Sequence, residues 1–214
     1  MTITLMKDYF NLLQDKYGSP YHTDTEIETY LNRAQLDYVT DLLPPDGYEL
    51  NIELNQNTIM RIHPILFTTG NVNMVSGTGA VLRTALDSAI VAATGITGAK
   101  LLRVLAIGWN DARPVTYTRK NNWYSYINNI FKAPSDKKPR THEDGASWVF
   151  RPIDTTANLV FMGVRYPVSV SISGAIDCEL PDLVHNDIVA RALELAGIGS
   201  RDEMLAQLQK LNNA

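Results

Sequence analysis

The chain has 214 residues, 45% of them hydrophobic, which is enough apolar content for a self-sufficient core and excludes disorder as the starting expectation. A formal net charge of −4 argues against a dedicated nucleic-acid binder whose whole surface neutralises phosphates. Cys178 is the only cysteine, which excludes an intrachain disulfide and any multi-thiolate metal site.

Met1 to Lys7 lacks the apolar run and small-residue cleavage site of a signal peptide, and no stretch approaches the roughly 20 apolar residues of a membrane helix. A soluble, non-secreted protein with no membrane partner is expected. Leu5, Tyr9, Leu12, Leu13 and Tyr17 recur at helical spacing, so a first helix is predicted over Thr4 to Tyr17, stopped by Gly18-Ser19-Pro20. Thr23 with Glu26, or Thr25 with Glu28, offers a capping box for a second helix. Its apolar stripe is Ile27, Tyr30, Leu31, Ala34, Tyr38 and Leu42, and Pro44-Pro45-Asp46-Gly47 ends it.

Tyr48 to Thr69 shows neither period cleanly and is read as extended. Gly70 to Gly79, rich in Gly, Asn, Ser and Thr, is expected to be a flexible loop over about 70–80. Leu82, Ala85, Leu86, Ala89, Ile90 and Ala93 then predict a helix closed by Gly95, with a pair of small-residue strands as the alternative. Lys100 to Trp109 reads as a buried strand and Pro114 to Arg119 as a half-exposed one. Trp123 to Phe131 suggests a short aromatic helix with Tyr124, Ile127 and Phe131 on one side, followed by a long charged loop over Lys132 to Gly145.

Strands are predicted at Ser147 to Arg151, at Leu159 to Tyr166 and where Val168, Val170 and Ile172 alternate with serines. Pro181-Asp182 opens a helix through Val184, Ile188, Ala192 and Leu195 to Gly197. Ser200 and Glu203 open a last one through Met204, Leu205, Leu208 and Leu211. The expected fold is α+β in a single domain over 1–214. A helical hairpin (1–45) and C-terminal helices (181–212) flank a central antiparallel β-sheet or small sandwich within a β-rich middle (48–175).

The search for chemistry gives no catalytic, cofactor or metal expectation. His22, His63, His142 and His185 are scattered and form no zinc motif. His142-Glu143-Asp144 is a compact polar triplet, and it is the first place to look for a hydrolase or transferase site. On a charged loop, however, such a triplet reads as solvated. His185, at the head of the C-terminal helix, reads as a packing or capping residue. Gly77-Thr78-Gly79 and the run Gly95 to Lys100 lack the spacing of phosphate-binding loops. Cys178 lies between Asp177 and Glu179, which would raise the thiol pKa and blunt a nucleophile.

The informative segment is 113–140. Arg113, Arg119, Lys120, Lys132, Lys137, Lys138 and Arg140 stand against one carboxylate, Asp136. Seven cations less one anion give +6, leaving −10 for the rest of a chain of net −4. Tyr117, Trp123, Tyr124, Tyr126 and Phe131 are interleaved. The mixture suits a subunit interface, a nucleic-acid-binding module, or merely core aromatics beside a solvated loop. The candidate interface residues are Arg119, Lys120, Trp123, Tyr124, Phe131, Lys132, Lys137, Lys138 and Arg140. Their positive charge can meet an acidic face on a neighbouring copy.

From Arg119 through Asn128-Asn129, Phe131-Lys132 and Pro134 to Pro139, with a short strand around Trp148 to Pro152, the sequence resembles ring or neck proteins of crAss-like and related podoviral tailed phages. Tyr30 to Tyr38 is similar to their N-terminal helix, and Asp177 to Asp182 leading into His185 to Val189 is similar to the approach to their final helix. The resemblance implies a non-enzymatic virion protein without a cofactor, a head-to-tail connector assembled in the host cytoplasm. It implies a ring of copies around the DNA channel, a dodecamer by analogy with the portal. The portal protein and adjoining neck and tail proteins would be partners, and non-specific contact with genomic double-stranded DNA is part of the same expectation.

Overall fold

The computed structural model describes residues 1–16, 21–43, 54–110, 113–129 and 131–197. The fold is mixed α+β, with helices near both ends of the described chain and two four-stranded sheets between them in sequence. Where a single domain over 1–214 is expected, the chain divides into two compact units. The described residues of 1–43, 55–65 and 167–197 form the first, and Leu54 with those of 66–166 the second. The second helix of the predicted C-terminal pair, 200–212, lies outside the described residues, as do Pro44-Pro45-Asp46-Gly47 and residues 48–53.

The first unit is helical: α1 (Ile3–Lys16), α2 (Asp24–Leu42), α3 (Gln56–Ile62) and α6 (His185–Leu195). Thr23 caps α2 through the predicted box: its hydroxyl accepts from the Glu26 amide, and the Glu26 carboxylate accepts from the Thr23 amide. The buried face of α2, Ile27, Leu31, Ala34, Tyr38 and Val39, packs on Ile188, Val189, Ala192 and Leu193 of α6. Arg191 of α6 adds an ion pair with Asp41 at 2.6 Å. On α1 the buried apolar residues are Ile3, Met6, Phe10 and Leu13, so among the described residues of the apolar spacing read from sequence only Leu13 is buried, while Leu5 and Leu12 are exposed. Tyr17 and the expected stop Gly18-Ser19-Pro20 lie outside the described residues.

Two expectations in this unit need correction. Residues 56–62, read as extended, are α3, started by the Asn55 side chain, which accepts from the Thr58 amide at 2.7 Å. The alternation of Val168, Val170 and Ile172 does not make a strand; Ser171 forms only an isolated bridge with Ile176. Side chains of α2 take the part of a partner strand instead. Gln35 donates to the Val168 carbonyl at 3.0 Å, Asn32 bonds both backbone groups of Val170, and the Glu28 carboxylate accepts from the amides of Ile172 and Ser173. Spacing of four and three residues puts Glu28, Asn32 and Gln35 on one helical face.

The second unit is a small sandwich. One sheet runs β1 (Leu66–Thr68), β8 (Leu159–Arg165), β3 (Leu101–Trp109), β4 (Arg113–Pro114); the other runs β2 (Ala80–Leu82), β7 (Ser147–Arg151), β6 (Arg140–Asp144), β5 (Thr116–Tyr117). All pairings are antiparallel except β5 with β6. The predicted strand Pro114 to Arg119 is divided between the sheets, and Val115, fully buried, marks the crossing.

Trp109 and Phe161 from one sheet and Phe150 from the other meet in the core, with the Trp109 and Phe161 ring centroids 6.4 and 6.2 Å from that of Phe150. Leu86 and Ile90 of α4 (Arg83–Thr94) join them, and Gly95 ends that helix with φ 71°. Gly163 is required where β8 passes β3 and Phe67: a Cβ there would stand 2.4 Å from the Arg103 carbonyl oxygen and 2.9 Å from the Phe67 ring. The segment expected to be a flexible loop, 70–80, carries two core residues, Val72 and Met74, and pairs with the sheet through Val72 and Leu159. The charged loop expected over 132–145 is interrupted by β6, which the sequence reading missed.

Candidate functional site

Helix α5 (Lys120–Ile127) and the excursion between it and β6 carry the aromatic-basic segment. Three contacts hold α5 to β6. Trp123 is buried, with its ring centroid 4.2 Å from that of His142. Lys120 donates to the Asp144 carboxylate at 2.6 Å. Arg140 lies over the Tyr126 ring, 4.0 Å from its centroid, and donates to the Thr118 hydroxyl at 3.2 Å.

These contacts separate the candidates into two groups. Trp123, Lys120 and Arg140 serve the fold of the unit: one is core, and the other two already have partners. Arg119 precedes α5 at its exposed N-terminal end. Tyr124 and Phe131, two of the three residues expected on one side of a helix over 123–131, are 70% and 98% exposed, and α5 ends at Ile127, before Phe131. The buried aromatic of α5 is Trp123, one position away.

Lys132, Lys137 and Lys138 are exposed on the excursion, and their ammonium groups make no ion pair among the described residues. The excursion itself is shaped by short-range bonds. The Asn129 side chain accepts from the Phe131 amide at 2.9 Å, and Ser135 and Lys138 exchange backbone bonds around a tight turn. Arg113 holds the turn by donating to the Asp136 carbonyl at 3.1 Å. Pro139 is buried, and its carbonyl accepts from the Thr116 amide at 3.0 Å, so the chain re-enters the sheet at a fixed point.

The polar triplet is broken up by the strand pleat. His142 points to Trp123, Asp144 is bound by Lys120, and Glu143 falls on the opposite face of β6. Burial pushes the His142 pKa below the ordinary imidazole range, with the Asp144 carboxylate opposing it and Lys120 and Arg151 adding to it. Among the described residues, no group of three or more His, Cys, Asp or Glu side chains is placed to hold a metal ion.

Cys178 is buried, its thiol donates to Gln35 Oε1 at 2.9 Å, and burial pushes its pKa up to about 11, with Glu179 and Asp177 adding smaller contributions. His185 is buried with Nε2 2.7 Å from the Leu180 carbonyl oxygen, a packing role, and its side chain does not cap the helix that it begins. No helix among the described residues is long and apolar enough to cross a membrane.

The segment presents two exposed aromatics and three ammonium groups that make no ion pair among the described residues, a combination suited to an apolar and acidic surface. No protein-family model matches the chain, and no curated protein matches it either.

Proposed function

We propose that the chain is a non-enzymatic virion subunit that assembles with copies of itself into a ring in the neck of a tailed phage, joining portal to tail around the DNA channel. The observation that carries this reading is the nearly complete exposure of Phe131, beside Lys132, on an excursion whose two ends are pinned to the sheet. Burying a large apolar side chain is worth about 1.5–3 kcal/mol relative to leaving it exposed, so a partner that covered Phe131 would gain that much from it. The resemblance to crAss-like neck proteins runs through the same residues, Asn128-Asn129, Phe131-Lys132, Pro134 and Pro139.

Light scattering and negative-stain microscopy of the purified chain, alone and with the portal protein, test it. Closed rings are the expected result, and a persistent monomer in both conditions overturns it. Double-stranded DNA binding that falls steeply with salt, without self-association, would instead favour a nucleic-acid-binding module built on Lys132, Lys137 and Lys138.

A further inference from the structure

Helix α1 carries two apolar stripes, one buried and one with its leucines exposed. Ile3, Met6, Phe10 and Leu13 are buried in the helical unit. Leu5 and Leu12, two turns apart, are 39% and 47% exposed, and Tyr9 lies half-buried between them. Asp8 and Asp15 fall beside this second stripe, at the spacing Leu5, Asp8, Leu12, Asp15 that places all four along one face of a helix. Both carboxylates are exposed. Of the cations on α1, Lys7 is engaged by Asp24 at 2.8 Å, and Lys16 sits at the last turn.

This face is the chemical converse of the α5–β6 excursion. One offers aliphatic side chains edged with carboxylates; the other offers Tyr124 and Phe131 edged with Lys132, Lys137 and Lys138. An aromatic anchor surrounded by a charged rim is the usual arrangement of an interface centre, and opposite charges at the rim set register more than affinity. The two faces belong to different parts of the sequence and are unlike each other. A contact between them is therefore heterologous, and repetition of a heterologous contact closes a ring or extends a filament.

We infer that the excursion around Phe131 of one copy docks on the Leu5–Leu12 face of α1 in the next copy, with Lys132, Lys137 and Lys138 opposite Asp8 and Asp15. The inference rests on the ring reading above and names the two surfaces that build it.

Charge exchange tests the pairing. Lys137→Glu with Lys138→Glu, and separately Asp8→Lys with Asp15→Lys, are each expected to weaken self-association by about tenfold or more, and the four changes combined in one chain are expected to restore it. Retained assembly in the aspartate variant, or a combined variant no better than either pair, overturns the docking face and leaves the ring reading standing. A wild-type chain that never self-associates overturns both.

A second measurement does not depend on the size of the charge effect. Phe131→Cys and Leu12→Cys chains, mixed under mild oxidation, should form a disulfide-linked pair that neither forms alone. Cys178 is buried and does not compete. Equal cross-linking in the unmixed samples, or none in the mixture while rings are present, overturns the inference.

Discussion

Asn32 clamps the backbone of Val170 with both ends of its amide: Oδ1 accepts from the Val170 N–H at 2.8 Å and Nδ2 donates to the Val170 carbonyl at 3.1 Å. A neighbouring strand would supply the same pair of bonds, but here a helix supplies them from a side chain. Val170 itself is buried, so water cannot readily replace what Asn32 provides.

Asn32→Ala removes both partners at once and leaves a buried N–H and C=O unpaired. The expected loss is about 1–3 kcal/mol for the orphaned groups. Urea unfolding followed by circular dichroism measures it, and a midpoint unchanged from wild type would mean that the clamp contributes nothing. The neighbouring surface change Arg33→Ala, whose side chain is exposed, serves as the control and should be close to neutral.

Cys178 should be inert toward thiol reagents in the folded protein. Burial and the bond to Gln35 hold the proton on sulfur, so at about pH 8 very little thiolate is present and what there is has no access. Ellman's reagent should label it only on unfolding, with the rate following denaturant. Fast, stoichiometric labelling in native buffer would contradict the packing described for the loop that holds it.

Acid should weaken the fold through two buried imidazoles. His142 and His185 both titrate below their ordinary range because burial disfavours the charged ring. The unfolded chain takes up protons near the ordinary value of about 6.5 while the folded chain does not. Their contribution is thus fully present above that value and is lost as the pH falls toward the folded values. Unfolding midpoints between about pH 8 and pH 5 should decline, and His142→Phe, which keeps a ring against Trp123, should flatten the decline. A slope identical in wild type, His142→Phe and His185→Phe would remove histidine as the cause.

Much of this fold is legible where the determining interactions are local. The Thr23–Glu26 box, the Gly95 stop of α4 and the apolar runs of β3, β7 and β8 are written in short stretches of sequence, and the structure has them in place. The misses share a different cause. Arg140 to Asp144 is a polar run that becomes a strand because Trp123 covers His142 and β7 pairs along its length. Val168 to Ile172 has the alternation of a strand, yet its backbone is satisfied by Glu28, Asn32 and Gln35, residues far away in sequence.

The candidate segment was visible in the same partial way. Its charge excess is a matter of counting, whereas the engagement of Arg140 by Tyr126 and of Lys120 by Asp144 depends on how α5 lies against β6. Exposure of Phe131 beside burial of Trp123 could not be read from two aromatics in one amphipathic stretch. The exposed stripe on α1 was hidden for a related reason, since Leu5, Tyr9 and Leu12 have the spacing of a core face and a different stripe fills that role.

The helical unit is completed by residues on both sides of 66–166, and the first and last strands of that stretch are neighbours, with Leu66 opposite Val164. During synthesis, α1 and α2 emerge long before α6, whose apolar face covers that of α2. The sandwich can therefore close on itself while the early helices still wait, with Ile27, Leu31 and Val39 uncovered on the nascent chain. That interval, and not the finished molecule, is when this polypeptide most needs protection from aggregation.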